Sequence, residues 1–166
     1  MSKIGLLKSE LDTPVLWLDL EALENNISHL ARHFEEADVE WRPHIKGIKV
    51  PAVAHKLLNA GAIGVTCAKL GEAEVMVSAG VKDILIANQI VTNQKIERLV
   101  RLCDQADVKV AVDDAGNVAA LGVAASAAGV ELGVLVEVNC GMDRAGVAPA
   151  EPTAALAETI DKTPGL

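Results

Sequence analysis

Aromatic side chains are nearly missing from this sequence: 166 residues contain no Tyr, one Phe and two Trp. The apolar fraction, 51%, is therefore mostly Ala, Val, Leu and Ile, a composition suited to helices packed on a Val- and Ile-rich sheet. Positive charge is also scarce. The 15 Lys and Arg are outnumbered by 23 Asp and Glu, for a net charge of −8, which argues against a nucleic-acid surface and a polybasic membrane anchor. The three cysteines, Cys67, Cys103 and Cys140, are widely spaced and form no C-x-x-C pair. That excludes a disulfide framework or structural zinc knuckle and suits a reducing compartment. No apolar run approaches the roughly 18 residues of a spanning helix, and the opening MSKIGLLKSELDTP lacks a signal peptide's apolar stretch. The expectation is a soluble, cytoplasmic, globular protein with no membrane and no nucleic-acid partner.

What is present is alternation. Short apolar runs predict strands at Val15–Leu20, Val39–Ile45, Ile63–Ala68, Asp83–Ala87, Val108–Val112 and Gly133–Val138. Between them, amphipathic spacing predicts helices at 21–34, 52–59, 71–79, 93–105, 116–128 and 152–161. Asp19 is a candidate cap for the first helix, whose apolar face is Leu23, Ile27, Leu30, Ala31 and Phe34. Repeated β-α units with right-handed crossovers imply an α/β fold on a mainly parallel sheet. Two architectures fit: a complete five-stranded open doubly wound sheet, or a partial (β/α)8 barrel, since eight units need roughly 250 residues. Neither G-x-G-x-x-G nor G-x-x-x-x-G-K-[ST] occurs, so no dinucleotide or P-loop fingerprint supports the open sheet.

In either architecture, ligands bind where parallel strands end. The polar residues expected there are Arg42, His44, Lys46, Lys69, Asn88, Gln89, Asp113, Asp114, Asn139, Asp143 and Arg144. Lys46 stands out. A lysine at a strand mouth can attack a carbonyl such as the aldehyde of pyridoxal phosphate, or it can simply extend into solvent. Alternation puts Arg42, His44 and Lys46 on one face, and three polar groups on a buried strand need partners or a purpose. Arg144 could bond a phenolic oxygen or a carboxylate with its donor fork, or pair with Asp143. Asp113 and Asp114 face opposite ways, so one of them suits a helix cap better than a metal. Cys67 and Cys140 are expected as small core residues, and Lys49 as a solvated one.

At these residues a resemblance enters. T-P-V-L-W-L-D-L-E-A-L-E-N-N-I (13–27), R-P-H-I-K (42–46), C-A-K-L-G-E-A-E (67–74), D-I-L-I-A-N-Q (83–89) and G-M-D-R-A-G-V (141–147) occur in this order. Together they resemble the D-threonine aldolase and D-serine dehydratase-like family of pyridoxal-phosphate enzymes and, more distantly, the alanine racemase N-terminal domain of fold type III. The resemblance implies a (β/α)8 barrel of which about five of eight barrel strands are here. Residues 1–35 would be a strand and helix leading in, and 36–166 the partial cofactor-binding barrel. It implies Lys46 as Schiff-base lysine, Arg144 on the cofactor's phenolic oxygen and His44 near the ring. The implied reaction is retro-aldol cleavage of a D-3-hydroxyamino acid to glycine plus an aldehyde or glyoxylate; racemase, dehydratase, non-catalytic cofactor binder and inactive fragment are the alternatives. Homodimerisation is implied as well. So is a divalent metal in full-length relatives, on a C-terminal β domain that lies outside these residues together with the phosphate-binding loops. One local departure is Gly47-Ile48-Lys49, where the family commonly continues T-H-K after the lysine.

Overall fold

The structure is a computed structural model that describes residues 4–166. Among the described residues a short 3-10 turn, Lys8–Glu10, precedes six helices and four strands. They run α1 (Leu20–Glu36), α2 (Pro51–Asn59), β1 (Val65–Cys67), α3 (Leu70–Ser78), β2 (Asp83–Ile86) and α4 (Asn93–Cys103). β3 (Asp107–Val112), α5 (Ala115–Ala128), β4 (Gly133–Val136) and α6 (Glu151–Asp161) complete the series.

All strand pairs are parallel, and the order is β1-β2-β3-β4. That order decides the architecture. A doubly wound sheet reverses direction so that helices cover both faces, whereas here each strand lies beside its predecessor. Val65, Ile84, Val108, Val110 and Val112 are all at most 2% exposed and share one core with Leu70, Met76, Leu99 and Leu121 of the helices. The helices thus stack on one face, and the sheet is an unclosed sector of a barrel. The open doubly wound alternative is overturned.

Two expected strands did not form. Val39–Ile45 runs alongside β1, but only His44 registers as a bridge, to Thr66. Its hydrogen bonds are real: Ile63 N–H donates to Trp41 O (3.1 Å), Thr66 N–H to Pro43 O (2.8 Å) and Ile45 N–H to Thr66 O (2.9 Å). Pro43 has no N–H to donate, which interrupts the ladder in the middle. Val15–Leu20 is not a strand at all, because no other strand among the described residues lies beside it. Leu16 and Trp17 there are solvent-exposed, and the Lys8 ammonium sits 4.1 Å from the Trp17 ring centroid.

Helix α1 starts where its cap predicts, with Asp19 accepting from the Ala22 N–H at 3.0 Å. Ile27 is buried, and Leu23, Ala31 and Phe34 pack with it on Trp41, Val53, Leu57 and Ala62. The Phe34 and Trp41 rings stack at 5.6 Å. Leu30, expected on that face, is exposed.

Candidate active site

The face of the sheet turned away from the helices is polar at its two ends, and the ends differ. At the N-terminal end, Arg42 forms a two-pronged ion pair with Asp83, the first residue of β2. Lys109 reaches the same carboxylate at 3.3 Å and Asp107 at 2.6 Å. Burial pushes the Asp83 carboxyl up, but Arg42 and Lys109 outweigh it and hold it below the usual carboxylate range. Arg42, expected at the ligand end of its strand, is therefore committed to the opposite end. Gly64 makes room for it: a Cβ there would strike the guanidinium and lie 2.5 Å from the Asp83 carbonyl.

At the C-terminal end, the chain turns directly after the His44 bridge, and Lys46 opens that turn. Ile45 on the other face is 2% exposed and anchors the turn in the core, while His44 and Lys46 are exposed. The Lys46 backbone N–H donates to His44 Nδ1 at 3.3 Å, which ties the imidazole to the turn. Among the described residues the Lys46 ammonium has no hydrogen-bond or ion-pair partner. Its neighbour Lys49 does, bonding Glu72 at 3.2 Å. Glu72 is buried, which works to raise its carboxyl. The Ala68 N–H at 2.7 Å, Lys49 and the nearby Lys69 nevertheless hold it below its ordinary value. Lys49 is exposed, as expected, and makes this ion pair from the surface.

Arg144 lies in the loop after β4, on the same C-terminal edge of the sheet but at the far side from Lys46. Asp143 does not pair with it; Asp143 Oδ1 accepts from Asn139 Nδ2 at 2.9 Å. The guanidinium is exposed and makes no ion pair among the described residues. It borders a cavity lined by Glu137, Asn139, Cys140 and Met142. The two candidate cations, Lys46 and Arg144, thus lie at the same end of the sheet, and neither has an ion-pair partner among the described residues.

The remaining candidates mostly act as scaffold. Asn88 donates to the Ala68 carbonyl at 3.0 Å, joining the ends of β2 and β1. Gln89 donates to Glu137 at 2.7 Å, spanning from β2 to β4 above β3. Asp114 caps α5 through the Asn117 N–H at 2.9 Å, while Asp113 turns the other way and accepts the Gly146 N–H at 2.9 Å. Cys67 is fully buried as expected, and burial, with the Glu72 charge adding, pushes its thiol up to about 12. Cys140, expected in the core, is exposed. Sequence reading missed Glu137 and Asp83. Glu137 interrupts a run of Val and Leu, and its place two residues beyond Leu135 on the same face was the available signal.

Known proteins share this sequence and fold. The family description "Alanine racemase, N-terminal domain" matches residues 18–166. The chain belongs to this family. It is 39% identical over 166 residues to the 3-hydroxy-D-aspartate aldolase of Paracoccus denitrificans, covering 98% of this chain and 42% of that protein. A solved structure of D-threonine aldolase from Filomicrobium marinum superposes with a TM-score of 0.92 at 43% identity, over 93% of this chain and 42% of that one. The D-threo-3-hydroxyaspartate dehydratase of Delftia sp. is 31% identical over 137 residues, 82% of this chain and 36% of that protein. The chain therefore spans less than half the length of these relatives. No described helix is long and apolar enough to cross a membrane.

Proposed function

We propose that this chain is part of a pyridoxal-phosphate-dependent lyase that cleaves D-3-hydroxyamino acids to glycine and an aldehyde or glyoxylate. The observation that carries the reading is the Lys46 amine at the C-terminal edge of the sheet, which has no ion-pair partner among the described residues while the neighbouring Lys49 is paired with Glu72. The aldolase relatives supply the reaction class.

The donor set fits the cofactor. Lys46 offers a primary amine for an aldehyde carbon, and Arg144 an unpaired guanidinium for a phenolic oxygen. His44, held against the Lys46 turn, would lie beside the ring. When bound, pyridoxal phosphate supplies the electron sink that retro-aldol cleavage requires. The chain's own contribution is positional: a buried Ile45 fixes the base of the Lys46 turn, and the loop after β4 presents Arg144.

A divalent metal finds no such fit. The described residues contain no group of three or more His, Cys, Asp or Glu side chains placed to ligate one. Glu72, Asp113 and Glu137 are already bonded to Lys49, Gly146 and Gln89. No step is assigned to a metal. The proposal extends to a homodimer and, on three unpaired thiols, to the cytoplasm.

The test is chemical. The protein is incubated with pyridoxal phosphate, reduced with borohydride and mapped by peptide mass spectrometry. Pyridoxyl should be found on Lys46, disappear in Lys46→Ala and persist in Lys49→Ala. Absence of label on Lys46 sinks the reading. Glycine release from D-threonine or D-3-hydroxyaspartate supports the aldolase; release of ammonia and a 2-oxo acid would make it a dehydratase. Label without either product would make the chain a cofactor binder only.

A further inference from the structure

The loop carrying Arg144 is mostly exposed, yet two side chains hold its backbone. From inside the loop, Asn139 Oδ1 accepts the N–H of Gly141 at 3.0 Å and of Asp143 at 3.1 Å. This supports Asp143 at φ +52, a left-handed conformation uncommon outside Gly and Asn. From the stretch just after β3, Asp113 Oδ2 accepts the Gly146 N–H at 2.9 Å. Gly146 has φ +98, and a Cβ there would lie 2.7 Å from the Asn139 nitrogen. The loop's far end therefore comes back in close contact with the end of β4, and among the described residues the one side chain that reaches the Gly146 N–H is Asp113.

We propose that Asp113 is a positioning residue for Arg144, setting through the Gly146 N–H where the guanidinium sits relative to Lys46. The inference rests on the reading of Arg144 as the donor to the cofactor's phenolic oxygen. Three observations support it. Asp113 is not needed as a helix cap, because Asp114 fills that role. The carboxylate oxygen meets the Gly146 N–H at 2.9 Å, a normal hydrogen-bond length. The bond ties the residue after β3 to the loop two residues beyond Arg144; the Val138–Val147 bridge pins the chain just past it, so loosening the bond shifts the loop between Asn139 and Val147 while the strands stay paired. The β3–β4 ladder, from Lys109–Gly133 to Val112–Val136, ends before Asp113 and does not depend on it.

The test compares binding of two ligands: pyridoxal phosphate and its 3-deoxy analogue, which lacks the phenolic oxygen. Trapping on Lys46 by borohydride gives the dissociation constant for each. Asp113→Ala should weaken pyridoxal phosphate binding about tenfold, the usual weight of one charged hydrogen bond. It should leave the analogue unchanged and add nothing in an Arg144→Ala background. Asp113→Asn, which keeps an oxygen acceptor, should recover most of the loss. If Asp113→Ala fails to fold, Asp113→Asn alone decides, with a smaller loss confined to pyridoxal phosphate. Equal loss for both ligands, or losses that add to Arg144→Ala, would overturn the proposal in favour of a general structural role. Should Arg144→Ala itself change neither ligand, the reading of Arg144 falls and takes this inference with it. Should Arg144→Ala weaken binding while Asp113→Ala does not, this inference alone falls.

Discussion

Asp83 receives both prongs of the Arg42 guanidinium at the start of β2, across the sheet from the helices. Their union spans from the bridging segment to β2 and draws in Lys109 of β3. It joins three consecutive elements at one end of the sheet.

The first prediction concerns this pair. Asp83→Asn takes the charge partner from the part-buried Arg42 and leaves Lys109 with Asp107 alone, and should cost about 2 kcal/mol at neutral pH. The Asp83 carboxyl is held below its unfolded value, so its stabilisation is complete above the unfolded value near ~3.9 and disappears as pH falls through the folded one. Urea midpoints of wild type and Asp83→Asn should thus differ at pH 7 and converge as the pH drops below about 4. A gap that stays constant with pH would show that the charge is not responsible.

Space for the same guanidinium sets the second prediction. Gly64→Ala places a Cβ against Arg42 and 2.5 Å from the Asp83 carbonyl, a backbone atom that cannot step aside. Overpacking of this kind costs roughly 1–3 kcal/mol. Gly133→Ala meets the Lys109 side chain first, at 2.8 Å, and that flexible stem can move. Thermal melts should rank Gly64→Ala as the more damaging of the two; the reverse order would refute the clearance argument.

Thiol chemistry gives the third. Burial pushes Cys67 up to about 12 and Cys103 up to about 11, with Glu72 and Asp104 respectively adding to it, so neither forms thiolate readily near pH 8. Cys140 is exposed. Ellman's reagent on the native protein should titrate one fast thiol, absent from Cys140→Ser, and the other two only after denaturation. Fast reaction of Cys67 in the native state would contradict its burial.

Glu72 supplies the fourth. Its carboxylate takes the Ala68 N–H, which belongs to the stretch joining β1 to α3, and the Lys49 ammonium. Glu72→Leu leaves a part-buried N–H unpaired and should cost about 1–3 kcal/mol, whereas Glu72→Gln, which retains an acceptor, should cost less. Hydrogen exchange at Ala68 reads the difference directly, and equal protection in both variants would count against the assignment.

The sequence showed the helices well because each carries its own evidence. Asp19 and Asp114 cap, Gly129 ends α5 in a left-handed turn, and the faces repeat at helical spacing. Strands depend on neighbours, and there the reading was weaker. Pro43 silences the middle of Val39–Ile45, and Val15–Leu20 has the right pattern but no partner strand beside it. The choice between barrel sector and open sheet was invisible to periodicity, since both place a helix after every strand. The exposed place of Lys46 follows from alternation, whereas Arg42 on the same face lies at the opposite end from the one expected. Nothing local to Arg42 announces that Asp83, 41 residues away, takes it. Gln89 was seen but its partner Glu137 was not, for the same reason.

The sheet's two ends use their cations in opposite ways. Arg42 and Lys109 are neutralised at one end, and at the other Lys46 and Arg144 have no ion-pair partner among the described residues. With the four in separate contact networks, substitutions at one end should combine additively with those at the other. Stability can therefore be altered through Arg42, Asp83 and Gly64 without touching the edge that carries Lys46 and Arg144.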